Sequence, residues 1–347
     1  MTFLFKIGGI VSPNLNFLII LSLLASPLFV QAAKGDKAST LVVYSARKEQ
    51  LVKDIFEKYT QETGVEIQLK SGKAAALIET LKAEGSKTKA DVLLTVDAGN
   101  LWHATQMDLL EPLSSKTLNT NVPAHLREKN GRWFGLSVRA RTIAYNTDKV
   151  KPEDLSTYED LASKKWEGRV CLRTSKKVYN QSLVAMLIHE LGEKKAKEVV
   201  AGWVKNAAYI YSNDTKVLEA VAAGQCDVGI VNTYYLGRLL KNKKLPLKLF
   251  WPNQKSFGVH VNVSGAGVVK ASHHKEQAQK FLEWLSAQEA QKTFAQVNME
   301  FPVNPNVPQS SETAAWGTFK PNSSFNLTEA GRLQKKAVLL MQSVNYK

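Results

Sequence analysis

Two rhythms of apolar residues alternate along this chain. Ser39-Thr-Leu-Val-Val-Tyr44 is a β-rich run, and from Lys48 to Thr63 the residues Leu51, Ile55, Phe56 and Tyr59 recur at helical spacing. Gly64 is placed to stop that helix. Val65-Glu-Ile-Gln-Leu69 reads as the next strand, Ala74 to Ala83 as a helix and Ala90-Asp-Val-Leu-Leu-Thr-Val96 as a strand. The order repeats with different residues. Gly168–Leu172 and Cys226–Val231 read as strands, and Gln181–Leu191, Lys194–Ala207 and Asn213–Gly224 as helices. Such alternation specifies an α/β protein with helices on the faces of its sheets.

Between the two units lies a long β-rich segment, Trp133–Tyr145, and a second one, Phe257–Ser264, is placed to cross back. Helices from Lys275 to Val297 and from Thr328 to Val344 are expected to close the chain. Two α/β lobes joined by two extended crossings resemble the periplasmic binding proteins of type II, with a ligand cleft between the lobes. The expected lobes are residues 33–137 with 257–303, and residues 138–256 with 304–347.

The start of the chain adds a compartment. Lys6 precedes an apolar run from Phe17 to Val30 that Pro27 interrupts, and no acid accompanies it. That run is short for a membrane span, which takes ~20 apolar residues. Val30-Gln31-Ala32 has the spacing a signal peptidase reads, so residues 1–32 are expected to be a signal peptide of the general secretory route. A retained N-terminal anchor is the other reading. Export makes an oxidising environment, in which Cys171 and Cys226, outside any Cys-x-x-Cys motif, are expected to form one structural disulfide.

The formal charge of +15 raises the question of nucleic acid or a membrane surface. The lysines are scattered (Lys73, Lys164, Lys194 and Lys241 among them) rather than gathered into an aromatic-interleaved stripe, which argues against nucleic acid. They read as a solvated surface, or as one that favours anionic headgroups. No Gly-x-Ser-x-Gly, His-Glu-x-x-His or phosphate-cradling Gly-Lys-Ser/Thr motif is present, so no enzyme is expected. The six histidines show no metal spacing.

Tyrosines carry the specific signal. Tyr44 ends the first strand, Tyr179 follows the Cys171 strand, and Tyr234-Tyr235 follow the Cys226 strand. Ligand crevices in open α/β sheets lie beyond the carboxyl ends of strands, so four phenols are placed to converge on one cleft. A phenol ordinarily ionises near pH 10, and a highly charged cation brings that value down. Ferric ion is hard and prefers anionic oxygen donors, whereas softer divalent metals recruit Cys or clustered His. Clustered tyrosines can also box an ammonium ligand, but no acidic residue stands beside Tyr179 or Tyr234-Tyr235.

Tyr44-Ser-Ala-Arg-Lys-Glu49, Val178-Tyr-Asn-Gln-Ser182 and Asn232-Thr-Tyr-Tyr-Leu-Gly237, with Val138-Arg-Ala-Arg141 and Tyr145-Asn146, together resemble the ferric-iron-binding periplasmic proteins of ABC importers, the Fut/Fbp type, over essentially the whole chain after the leader. The resemblance implies a monomeric periplasmic carrier that delivers Fe3+ to an inner-membrane ABC permease. It implies Tyr44, Tyr179, Tyr234 and Tyr235 as metal ligands. It also implies a basic residue on the crossing strand near the metal or a synergistic anion such as carbonate. Arg139 and Arg141 share a strand face by their spacing and either is placed for that role, with Arg139 preferred. Many members carry a His-Tyr pair after the first arginine. Lys48-Glu49 stand there in this chain, which leaves the fifth and sixth coordination positions to water or an anion. An iron-binding protective protein of the cell envelope or photosystem, and a carrier of a small organic ligand, are the competing expectations.

Overall fold

The computed structural model describes residues 39–241 and 243–347, so the expected signal peptide over residues 1–32 lies outside the described residues. The chain opens with three strands, β1 (Thr40–Ser45), β2 (Glu66–Ser71) and β3 (Val92–Thr95), linked by helices α1 (Lys53–Thr63) and α2 (Ala74–Glu84). β1 pairs in parallel with both β2 and β3. α1 buries Ile55, Phe56 and Tyr59, the apolar face that its sequence period marks out. Gly64 ends it at φ 71°, a left-handed conformation open to glycine, with its N–H on the Thr60 carbonyl.

Helices α3 (Ala98–Gln106) and α4 (Lys116–Asn121) lead to β4 (Phe134–Asn146), whose thirteen residues are all buried. The second unit comprises β5 (Val170–Arg173), α5 (Val178–Leu191), α6 (Glu193–Asn206), β6 (Ala207–Tyr211), α7 (Asp214–Ala222), β7 (Val228–Asn232), α8 (Thr233–Leu240) and β8 (Leu247–Phe250). β5 lies between β6 and β7 and is parallel to both. β9 (Val261–Val268) then runs antiparallel between β3 and β4. The strand order is β2-β1-β3-β9-β4-β7-β5-β6, with β8 beside β4.

β4 is the link. Its first half, Phe134 to Ala140, pairs with β9, and its second half, from Arg141, pairs with β7 and, from Ile143, also with β8. One buried strand therefore belongs to both groups of strands, as the length of the β-rich segment implied. It carries two arginines into the interior, a placement that requires partners for both guanidinium groups.

Helices α9 (Lys275–Ser286), α10 (Gln288–Asn298), α11 (Ser311–Ala314), α12 (Thr328–Arg332) and α13 (Gln334–Ser343) complete the described chain. The single helix expected from Lys275 to Val297 is broken at Ala287, which is extended (φ −77°, ψ 164°). Asn304 Nδ2 donates to the freed Ser286 carbonyl at 3.0 Å, replacing a helical bond with a side-chain one. The helix expected from Thr328 to Val344 is likewise two pieces, separated at Leu333. Cys171 and Cys226 form a disulfide, with Cα atoms 5.8 Å apart, that ties β5 to the approach to β7. Among the described residues no helix is long and apolar enough to cross a membrane.

Candidate metal centre

β5 and β7 are parallel neighbours, so the chain leaves both at the same edge of the sheet. α5 begins after β5 and α8 begins directly after β7. Tyr179 occupies the first turn of α5, and Tyr234 and Tyr235 the first turn of α8. Two helix amino ends, with unpaired N–H groups and a positive dipole end, therefore carry the three phenols, an arrangement that favours negative charge on them. Tyr234 and Tyr235 lie on a helix rather than a strand. Their rings, instead of diverging to opposite faces, lie 4.5 Å apart between centroids with 30° between planes.

All three phenols line one cavity of about 290 Å³. Its opposite wall comes from the first unit and the crossing strands, with Ala46, Arg47, Lys48, Leu51, Val96, Arg139, Ser264 and Glu300. Arg173, Lys177 and Arg238 complete the lining. The Arg173 guanidinium lies 5.1 Å from the Tyr179 ring centroid and 5.9 Å from that of Tyr235. Arg139 lies 5.5 Å from the Tyr179 ring and Arg238 4.8 Å from the Tyr234 ring. A larger cavity of about 490 Å³ beside Tyr59, His273 and Trp284 brings together no comparable donor set.

Burial pushes the Tyr179 phenol up despite Arg139 beside it. Burial, reinforced by Tyr179 and Tyr235, pushes Tyr234 well above the ordinary phenol value. Both are neutral near neutral pH unless a cation arrives to hold the phenolate. Among the described residues there is no group of three or more His, Cys, Asp and Glu side chains able to hold a metal ion. The side-chain oxygen donors in the lining are the three tyrosines, Ser264 and Glu300, whose carboxylate Arg47 already holds.

Tyr44 is not part of it, which corrects the expectation from its place near the end of β1. Its hydroxyl donates to Glu84 (2.9 Å to Oε2) and accepts from Lys70 Nζ at 3.0 Å. Side chains alternate along a strand. Tyr44 thus faces α2 and Lys70, while its neighbour Ser45 faces the other way and accepts from the backbone N–H of Arg47, which lines the cavity. Being at a strand end places a residue near a crevice but does not choose the face.

The two arginines of β4 divide their roles. Arg139 lines the cavity, 3.8 Å from Asp97, with Nη2 lacking a hydrogen-bond partner. Arg141 is engaged elsewhere. Its Nε donates to Asn180 Oδ1 (2.9 Å), Nη1 to Asn232 Oδ1 (3.0 Å) and to Asp214 Oδ2 (3.2 Å), and Nη2 to the Ile230 carbonyl (3.1 Å). It joins the residue after Tyr179 to the residue that opens α8, uses four of its five N–H groups in doing so, and does not line the cavity.

Arg47, Arg173, Lys177, Arg238 and Glu300 were not anticipated in the site. Arg47 holds Glu300 at 2.7 Å. Although burial acts to raise it, Arg47 and Arg139 keep the Glu300 carboxyl below its usual range. The available signals were Arg173 at the carboxyl end of a strand, six residues before Tyr179, and Arg47, just past the end of β1. Buried guanidinium nitrogens on Arg47 (Nε) and Arg173 (Nε) have no hydrogen-bond partner, and Arg139 Nη2 and Arg173 Nη1, also without one, stand 3.8 and 3.3 Å from Asp97 and Asp214, which leaves the wall basic and suited to an anion.

Two α/β lobes bridged by buried strands, with a polar cavity where the lobes meet, define a solute-binding protein of the type II periplasmic class. The chain belongs to the family of bacterial extracellular solute-binding proteins, which it matches over residues 54–321. Iron uptake protein A1 of a Synechocystis species is 44% identical to it over 313 residues, 88% of this chain and 87% of that protein. The Fe(3+)-binding periplasmic protein of Serratia marcescens is 32% identical over 278 residues, 78% of this chain and 81% of that one. Among solved structures, that of Trichodesmium IdiA (FutA) in complex with iron and citrate ligands is similar with a TM-score of 0.85 at 44% identity, covering 89% of this chain and all (100%) of that one.

Proposed function

We propose that this protein binds ferric iron through Tyr179, Tyr234 and Tyr235 and carries it in the periplasm to the permease of an inner-membrane ABC importer, as a monomer. The observation that carries the reading is the convergence of three phenols, Tyr234 buried and Tyr179 and Tyr235 half-buried, in one cavity of about 290 Å³. Three phenolates offset the three charges of Fe3+, and their hard oxygens suit it. Tyr44 is left out of the set because Glu84 and Lys70 occupy its hydroxyl.

The arginines explain why the cargo comes with an anion. Arg47, Arg139 and Arg173 would repel a bare cation but stabilise phenolates, and their spare N–H groups fit carbonate or a carboxylate that fills the remaining coordination positions. Iron uptake in the named relatives supports a carrier rather than a catalyst.

Because Tyr179 and Tyr234 are held neutral without cargo, binding must release their protons. Affinity should therefore rise with pH, roughly tenfold per unit for each proton released. Competition against a chelator of known pH behaviour, from mildly acidic to neutral pH, tests this. A profile that is flat after correction for the chelator contradicts a tyrosinate site.

A further inference from the structure

We propose that Tyr346 is a positioning residue for the iron site, fixing the β5–α5 junction that presents Arg173 and Tyr179; the proposal rests on the tyrosinate reading above. After α13 the chain turns back on itself. Asn345 takes a left-handed conformation (φ 57°), and the Tyr346 N–H donates to the Met341 carbonyl at 3.0 Å. The turn drives the Tyr346 ring into the interior, where the residue is 5% exposed, beneath the junction.

Four bonds then fasten the junction to this one segment. The Tyr346 hydroxyl donates to the Arg173 carbonyl at 2.7 Å and accepts from Asn180 Nδ2 at 3.0 Å. The Tyr346 carbonyl accepts from Ser175 Oγ, and the Lys347 carbonyl from the Ser175 N–H, each at 2.8 Å. Residues 173, 175 and 180 bracket Tyr179, so the entry of α5 is clamped on both sides of the ligand. A phenylalanine would fill the same apolar space. Asn180 Nδ2 also donates directly to the Arg173 carbonyl at 2.7 Å, so the hydroxyl is the third corner of a closed set of bonds that a phenylalanine would leave open.

The clamp reaches the metal site through two groups. The Arg173 side chain, whose own backbone is held, lies against the rings of Tyr179 and Tyr235. Asn180 passes the constraint to Arg141 and so to Asn232, which opens the helix of Tyr234 and Tyr235. Tyr346 does not line the cavity, and both roles of its hydroxyl are taken. It acts on the ligands by placing them, as the outer partners of metal ligands do.

The test uses the full chain with Tyr346→Phe and ferric ion presented from citrate, read three ways. Ferric affinity should fall about 10- to 100-fold, and the phenolate-to-iron absorption band should shift. Backbone amides over residues 174–181 of the iron-free protein should exchange faster, while the thermal midpoint stays close to that of the wild type. If the variant does not fold, Ser175→Ala takes its place with the same three expectations, since it removes the Oγ bond and leaves the ring. A coloured wild type beside a variant with unchanged affinity, band and exchange overturns this proposal alone. A wild type that binds iron without the band overturns the tyrosinate reading and this proposal with it.

Discussion

Arg141 and Asp214 stand 3.2 Å apart with side chains 1% and 0% exposed, and the Asp214 carboxylate also holds Arg173 at 3.3 Å from its other oxygen. One buried acid is thus the shared counter-charge of two arginines, on β4 and β5, the strands either side of β7, and its Oδ2 accepts from the Asn232 N–H as well. Asp214→Asn leaves two buried guanidinium groups without a counter-charge. Breaking such a pair from one side costs about 3–5 kcal/mol. Urea unfolding of the iron-free variant is expected to show a loss of that size; a loss below 1 kcal/mol would mean that solvent reaches the arginines.

The disulfide makes a second prediction. Cys171 and Cys226 close a sequence separation of 55 residues and brace the two strands that lead to Tyr179 and Tyr234. Thiol titration of the unfolded, unreduced protein is expected to find no free thiol. The paired substitution Cys171→Ala with Cys226→Ala should cost about 2–5 kcal/mol in denaturant unfolding.

A third prediction concerns pH and Asp97. This residue caps α3 through the Gly99 N–H and also takes bonds from Ser182 Oγ and Asn262 Nδ2, joining α3 to α5 and β9. Burial outweighs Arg139 and pushes its carboxyl up to about 6, above an unfolded value near 3.9. Between those values the native state binds the extra proton. Asp97 therefore contributes stability that is fully present below about pH 4 and is lost as pH rises through 6, roughly 3 kcal/mol in all. Carboxylates held low, such as Glu300, act in the opposite sense. The difference between wild type and Asp97→Asn isolates the effect. Urea unfolding from pH 4 to 7 should show that difference changing through the window, and a constant difference would contradict it.

The three tyrosines that line the cavity were legible because hydrophobic runs end where strands end. The strands leading to Tyr179 and to Tyr234-Tyr235 stand where their patterns put them, and a parallel pair must open at one edge. Tyr44 was not legible. Alternation along β1 says that Tyr44 and Ser45 face opposite ways, but only the packing of α2 and β2 decides which face meets Glu84 and Lys70. The choice between Arg139, which the sequence reading preferred, and Arg141 could not be made from spacing for a related reason. Their spacing gives a shared face, whereas their partners Asp97, Asp214, Asn180 and Asn232 come from distant parts of the chain. The break at Ala287 carries no signal in the apolar period, which runs on from Leu285 to Ala290 and Phe294, all buried. The carbonyl freed there is capped from outside by a side chain, Asn304, that is distant in sequence.

Arg139 provides a prediction that separates the anion from the metal. Arg139 lines the cavity, with Nη2 lacking a hydrogen-bond partner and 3.8 Å from Asp97, and is expected to hold the accompanying anion rather than the iron. Arg139→Ala should weaken ferric binding and change its dependence on added carbonate or citrate while the protein still colours with iron. Affinity measured at several anion concentrations checks this, and an unaltered anion response would remove Arg139 from the role.

The central claim is that phenolate oxygens of Tyr179, Tyr234 and Tyr235 hold ferric iron, and the visible absorption spectrum tests it most directly. Titrating the purified protein with a ferric salt should produce a phenolate-to-iron charge-transfer band that saturates at one equivalent. The same titration of the chain carrying Tyr234→Phe and Tyr235→Phe should give little or no band, while its far-ultraviolet circular dichroism matches the wild type. Retention of both the band and the iron by the folded double variant would contradict the account.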